Sequence, residues 1–245
     1  KMSHLHFVAA DDYKRRVIQL GEQPARVFNV GGMGIDAIKR ITLLNREELE
    51  QSMGFAFLKK NLLVTFHPVT LEAEASSNEQ MEQLLVALAK LNDTGLIFTM
   101  PNADTGGREL GAMVHAFVKN HANACVFTSL GQLRYLSCLA QVDAVVGNSS
   151  SGLAEAPSFG IGTINIGDRQ KGRLKADSVI DCVPSKEGIS EALGQLHSPR
   201  FRQCVTTVSN PYGEGGASEA VVKVLMDYPL ESILKKSFFD LPALF

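Results

Sequence analysis

No stretch of the chain approaches the roughly 18 uninterrupted apolar residues that a membrane-spanning helix requires. Its first residues, Lys1 to Phe7, lack the basic segment followed by an apolar segment that marks export. These two absences lead to the expectation of a soluble protein held in the cytoplasm, without a membrane partner. Cysteine is sparse: Cys125, Cys138, Cys182 and Cys204 lie 13, 44 and 22 residues apart, with no Cys-x-x-Cys pair. That spacing argues against a zinc site or a disulfide framework and fits a reducing compartment. Excess charge is also missing. With 24 Lys+Arg against 26 Asp+Glu the formal net charge is −2, so no global field draws the molecule to nucleic acid, and any phosphate binding must be local. A Gly-x-Ser-x-Gly elbow, a His-Glu-x-x-His helix and a close carboxylate pair suited to glycoside hydrolysis are absent too.

What is present is ordinary globular composition: 245 residues, 45% hydrophobic and 20% charged. The length allows one large α/β domain or one domain with an appendage. Short apolar runs recur at Arg26 to Val30, Leu62 to Phe66, Leu96 to Met100, Cys125 to Thr128, Ala144 to Val146, Thr163 to Ile166 and Ser178 to Cys182. They are apolar without strict alternation, the pattern of strands buried on both faces of a parallel sheet. Helical stretches separate them: Asn45 to Met53, Ser77 to Leu91, Gly107 to Lys119, Gln132 to Val142, Gly152 to Phe159, Lys186 to His197 and Ala217 to Met226. Ser77 and Ser185 stand where helix caps are expected, and Glu219 places acid in the first turn of the last helix. The β-α-β rhythm predicts a doubly wound, Rossmann-like α/β fold.

No repeat or linker divides residues 26–226, which are expected to form one domain. Residues 1–25 read as a helical lead-in, with an amphipathic helix over Asp11 to Gln23. Residues 227–245 read as a C-terminal helix and apolar tail, because Leu230, Ile233, Leu234 and Phe238 recur at helical spacing. Such a stripe must either fold back on its own domain or cover another protein surface, as in a homo-oligomer.

In a parallel α/β sheet, ligands collect beyond the carboxyl ends of the strands. Four successive strand ends carry polar groups: His67-Pro68, Pro101-Asn102-Ala103-Asp104, Gly147-Asn148-Ser149-Ser150-Ser151-Gly152, and Gly167-Asp168-Arg169-Gln170-Lys171-Gly172-Arg173. The serine segment is neither a Walker A sequence nor Gly-x-Gly-x-x-Gly. Its hydroxyls and backbone N–H groups could cradle a diphosphate at a helix start, although a solvated capping turn has the same composition. Glu155 follows in a stretch otherwise written in Gly, Leu and Ala, where ribose hydroxyls would satisfy a carboxylate and a helix N-terminus would do so as well. Arg169 and Arg173 offer forks that match phosphate oxygens, and His67 is held between a buried strand and a proline. These residues point to a phosphate-bearing ligand at the sheet edge and leave the reaction open.

The same motifs, taken in order with Glu155-Ala156, Ile164 to Arg173 and Asn210-Pro211-Tyr212-Gly213-Glu214-Gly215 before Ala217-Ser218, resemble the hydrolysing UDP-N-acetylglucosamine 2-epimerases. The likeness runs from His67 to Ser218, and Phe28 to Asp36 looks like that family's entry into its second domain. The triple serine and the Arg-Gln-x-Gly-Arg loop are closer to the hydrolysing branch than to the non-hydrolysing one. The resemblance implies the C-terminal domain of a two-domain glycosyltransferase-B-type fold. It further implies that an N-terminal domain carrying the carboxylates that act at C2 precedes Lys1, as the Lys1-Met2 start also suggests. Carried over residue by residue, His67 assists departure of UDP and is the catalytic group. Asn102 lies in the UDP cleft, Tyr135 stands near the uracil, Ser149 and Ser150 bind phosphate, Glu155 holds the ribose, and Arg169 meets the diphosphate side; Arg173, from its place in the same loop, is expected to bind UDP as well. The implied reaction eliminates UDP from UDP-N-acetylglucosamine and hydrates 2-acetamidoglucal to N-acetylmannosamine, a step toward sialic acids, with neither cofactor nor metal. The alternatives are the same chemistry on a UDP-diacetamido sugar, a non-hydrolysing epimerase, a glycosyltransferase donor domain, or a nucleotide-sugar sensor.

Overall fold

A computed structural model describes residues 2–69, 74–101, 106–231 and 233–241. Along the chain run β1 (His6–Val8), α1 (Asp11–Gln19), β2 (Val27–Asn29), α2 (Met33–Arg40), α3 (Arg46–Met53), β3 (Lys60–Thr65), α4 (Glu74–Leu88) and β4 (Thr94–Thr99). They are followed by α5 (Gly107–Lys119), β5 (Ala124–Phe127), α6 (Gly131–Leu139), β6 (Ala144–Gly147), α7 (Ser151–Ala154) and β7 (Gly162–Ile166). The last elements are β8 (Val179–Cys182), α8 (Lys186–Leu196), α9 (Pro199–Thr206) and α10 (Ala217–Asp227). Contacts divide these elements into two compact units, Ile41–Ser209 and a second built from Lys1–Arg40 with Asn210–Phe245.

The larger unit is the doubly wound sheet that the apolar runs predict. Its six strands are all parallel, in the order β5-β4-β3-β6-β7-β8. Counted from the first strand of the unit this is 3-2-1-4-5-6, the Rossmann order, and the winding reverses between β3 and β6. The strands read as continuous apolar runs because both faces are covered. Leu62, Val64, Phe66, Leu96, Phe98, Val146, Ile164 and Ile166 join one buried cluster with Leu84 and Leu88 of α4, Leu110 and Val114 of α5, and Ile189 and Leu193 of α8. The alternate residues Leu63, Ile97 and Val145 are equally buried, and alternation along a strand sends them to the opposite face. Caps fix several helix starts. Asn45 and Glu48 form a reciprocal capping box on α3, and the Ser185 hydroxyl accepts the Gly188 N–H on α8. Ser77, expected as a cap, lies three residues inside α4. Its buried hydroxyl instead accepts the Val69 N–H and ties down the loop after β3.

The domain limits differ from the expected 26–226 span. β2 pairs with β1, in a separate two-stranded parallel sheet, so residues 26–40 belong with the first segment and not with the central sheet. The lead-in thus carries a strand as well as a helix. At the other end α10 packs on α2. The Asp36 carboxylate accepts the N–H groups of Gly216, Ala217 and Ser218 at 2.7, 3.0 and 2.7 Å, satisfying the first turn of α10. Ser218 foremost, with its hydroxyl and its N–H, holds this carboxyl at about 2, below the usual 3.8.

The tail also departs from expectation. Helix α10 stops at Asp227, and residues 228–231 and 233–241 form turns and extended chain with no further helix. Pro229 accounts for the stop, since the residue before a proline is driven to extended backbone and Tyr228 has ψ of 127°. Leu230, Leu234 and Phe238 are 67%, 83% and 63% exposed, so the expected helical stripe does not form. The segment is fastened by polar contacts. Lys236 Nζ pairs with buried Glu22 at 2.6 Å, where His6 also sits at 2.9 Å, and the Phe239 N–H donates to the Gly21 carbonyl at 3.0 Å. Among the described residues no helix is long and apolar enough to cross a membrane.

Candidate functional site

The site forms where the winding of the sheet reverses. β3 and β6 are neighbours in register, with Thr65 opposite Gly147, and the loops beyond them bring His67 and Ser149 to one edge. Gly147 permits this closeness. Its φ is 135°, and a Cβ there would fall 2.7 Å from the Thr65 carbonyl carbon and nearer still to its oxygen. Beyond β6, Gly152 lets α7 press on β7, where the Thr163 hydroxyl donates to the Gly152 carbonyl at 2.7 Å.

Between these strand ends opens a cavity of about 510 Å3. Thr65 closes β3 and His67 follows it, Thr99 closes β4 and Met100 follows it, Ser129 precedes α6 and Gly131 opens it, and Tyr135, Ser149 and Ser151 complete the wall. The hydroxyls of Thr65 and Thr99 lie 2.6 Å apart, so the floor is polar although the strands beneath it are apolar. His67 is only 7% exposed, and its backbone is held on both sides by Asn148. Asn148 Oδ1 accepts the His67 N–H at 2.7 Å, and Asn148 Nδ2 donates to the His67 carbonyl at 2.8 Å.

Of the residues singled out from the sequence, His67, Tyr135 and Ser149 line this one cavity. Arg169 is tied to it, its Nη1 donating to the Asn148 carbonyl at 3.1 Å. Tyr135 donates its hydroxyl proton to Ser151 Oγ at 2.6 Å, which anchors the serine segment. Burial pushes the phenol above its ordinary range, and the nearby Glu155 carboxylate adds to the shift. Ser150 stands at the start of α7, its carbonyl accepting the N–H groups of Leu153 and Ala154. Glu155 closes α7, and its Oε2 is buried without a hydrogen-bond partner. Arg173 is exposed and lines a different depression, with Lys171, Lys175 and Asp181; the fold does not bring it to the cavity. Asn102 lies outside the described residues. Sequence reasoning missed Asn148 and Gln170, which are buried and join at 2.8 Å. The available signal was a polar residue directly after a buried strand, flanked by more conspicuous serines. Among the described residues no group of three His, Cys, Asp or Glu side chains is placed to hold a metal ion.

A family model described as UDP-N-acetylglucosamine 2-epimerase matches residues 1–226. The chain belongs to the UDP-N-acetylglucosamine 2-epimerase family. A GDP/UDP-N,N'-diacetylbacillosamine 2-epimerase (hydrolyzing) of Campylobacter jejuni is 39% identical over 243 residues, covering 98% of this chain and 62% of the relative. The polysialic acid biosynthesis protein P7 of Escherichia coli is 39% identical over 245 residues, covering 99% of this chain and 62% of its own length. The chain thus spans about three-fifths of the length of these curated relatives. Among solved structures, the S. aureus MnaA–UDP co-structure is similar with a TM-score of 0.76 at 19% identity, covering 98% of this chain and 63% of the other. A Neisseria meningitidis UDP-GlcNAc 2-epimerase bound to UDP-GlcNAc gives 0.67 at 19% identity, covering 91% and 61%. At that identity the likeness is one of fold, and it assigns the epimerases' Rossmann-like architecture to this chain.

Proposed function

We propose that this chain is the UDP-binding part of a hydrolysing 2-epimerase acting on a UDP-linked acetamido sugar. The observation that carries the proposal is the cavity at the reversal point of the sheet, lined by His67 and Ser149, with Arg169 hydrogen-bonded to Asn148 beside it. The family membership supports it. Glu155, with a buried and unpartnered carboxylate oxygen, suits a pair of ribose hydroxyls. Tyr135 closes the wall toward the base, and Ser149 and Ser150 offer donors to phosphate. Asn102 is a secondary candidate for the same ligand, and Arg173, which lines a separate depression, is left out of the assignment.

In this scheme the sugar C1–O bond breaks as the C2 proton is removed, and UDP departs with the bonding pair. Water then adds across the resulting 2-acetamidoglucal, placing hydroxyl on C1 and a proton on C2 with inverted configuration. His67 and Arg169 act on the leaving group, where negative charge develops, and such electrostatic help is the largest single contribution to many enzymatic rates. The base at C2 is assigned to the part of the relatives' length that this chain does not span. The 245 residues alone are therefore expected to bind UDP without turning over a UDP-sugar. UDP-N-acetylglucosamine is the first substrate reading. The relative named for N,N'-diacetylbacillosamine favours a second, a UDP-diacetamido sugar. Four free thiols support work in a reducing cytoplasm, and the exposed Val222, Leu225 and Met226 on α10 support burial against another protein surface, as in a homo-oligomer.

Calorimetry with UDP and with uridine tests the assignment. Glu155→Ala is expected to weaken both ligands, and Arg169→Ala to weaken UDP while leaving uridine unchanged, each by about 1.5–3 kcal/mol. If both variants keep UDP affinity within about 0.5 kcal/mol of the wild type, the site is assigned wrongly.

A further inference from the structure

Asn148 is 1% exposed, too deeply set to serve mainly as a ligand contact, yet every polar group it owns is engaged. Its side-chain amide bridges the N–H and C=O of His67 at 2.7 and 2.8 Å. Its own N–H donates to the Thr65 carbonyl at 3.2 Å. Its carbonyl accepts from Arg169 Nη1 at 3.1 Å and from Gln170 Nε2 at 2.8 Å. The backbone ladder between β3 and β6 ends at Thr65 and Gly147, so the amide extends it by mimicking one more peptide group. Pro68 follows immediately and has no N–H of its own. The loops after β3, β6 and β7 therefore meet at a single buried residue.

We propose that Asn148 is a positioning residue that sets the His67 imidazole and the Arg169 guanidinium in one register, so that both act on the same leaving diphosphate. This rests on the proposed function. An amide suits the task because it presents one donor and one acceptor to a backbone that needs both. A carboxylate could still accept the His67 N–H but would set its other oxygen, an acceptor, against the His67 carbonyl, and a leucine of similar size would leave two buried backbone groups unpaired. The bond from Gln170, itself buried, holds the Asn148 carbonyl so that the bond from Arg169 fixes the direction of the guanidinium.

The test is a double-mutant cycle on the 245-residue chain, read by calorimetry with UDP and uridine. Asn148→Leu is expected to weaken UDP about tenfold or more while uridine stays within about twofold, because only the phosphate end loses its register. His67→Ala is expected to weaken UDP in the wild-type background and to add less than about twofold in the Asn148→Leu background, since residues acting as a unit are not additive. Independent, multiplying effects overturn the inference, as does equal weakening of uridine, which marks general damage to the fold. If Asn148→Leu does not fold, Gln170→Leu carries the test. It is expected to weaken UDP about threefold with uridine unchanged, and unchanged UDP affinity overturns the inference. Failure of the wild-type chain to bind UDP overturns the proposed function itself, a result distinct from UDP binding with independent residues.

Discussion

Replacing Gly147 by alanine probes the geometry on which the site depends. The φ of 135° is one that L side chains rarely adopt, and holding such a backbone conformation costs about 1–3 kcal/mol. The added Cβ would also lie 2.7 Å from the Thr65 carbonyl carbon, where carbon atoms at rest keep about 3.5–4.0 Å apart. Relief requires β3 and β6 to separate by about an ångström, an overpacking that costs a further 1–3 kcal/mol or so. The expected loss is then about 2–6 kcal/mol, a large share of the roughly 5–15 kcal/mol that holds an ordinary domain together. Urea unfolding followed by circular dichroism measures it. At a slope of about 2 kcal/mol/M the midpoint falls by about 1–3 M, with the slope itself unchanged. Gly194→Ala is the control: that glycine lies in α8 with nothing within 4 Å of the point a methyl group would occupy, and alanine there is expected to gain about 0.5–1 kcal/mol. A Gly147→Ala midpoint within about 0.3 M of the wild type would refute the reasoning.

The Asp36 carboxyl, held at about 2 against its ordinary 3.8, binds protons less readily folded than unfolded. Its contribution to stability is complete above the unfolded value and disappears as pH falls through about 2. An acid titration should therefore show Asp36→Asn losing less stability than the wild type across that window, and identical acid transitions would contradict the cap. Burial pushes the Cys125 and Cys138 thiols up to about 12 and Cys182 to about 11. A thiol reagent at pH 8 is expected to spare all three in the folded chain and to reach them on unfolding; rapid native modification of Cys138, mapped by mass spectrometry, would show that α6 does not bury this thiol in the folded chain.

The larger unit was legible because its strands are buried on both faces and so appear as compact apolar runs. Its six strands and β2 are all present, each within two residues of its expected limits. β1 escaped notice because His6-Phe7-Val8 is only three residues long and half-buried, with no periodicity to read. α9 carried a usable sign, Ser198 as cap and Pro199 at the first helical position, but Arg200, Arg202 and Gln203 dilute its apolar face. α2 was hidden by the glycines at 31, 32 and 34, which resemble a loop. The tail misled in the other direction: Leu230, Ile233, Leu234 and Phe238 have helical spacing, and Pro229 ends the helix before that spacing can be used. At the site, chemistry-bearing types stood out at strand ends, whereas Asn148 is recognisable only once the β3 and β6 loops are seen together.

The two halves of the cavity come from distant parts of the chain, with His67 and Asn148 separated by 81 residues. β3, β4 and β5 can pair through successive short crossovers, but β6 must return past them to reach β3, and closing so long a loop carries an entropic cost before any contact rewards it. A partly folded chain with only β3, β4 and β5 paired would therefore hold His67 without Asn148, and would have no site. Binding at the proposed site would thus report on completion of the sheet, and a ligand of that site added during refolding would trap the finished state without hastening the search that leads to it.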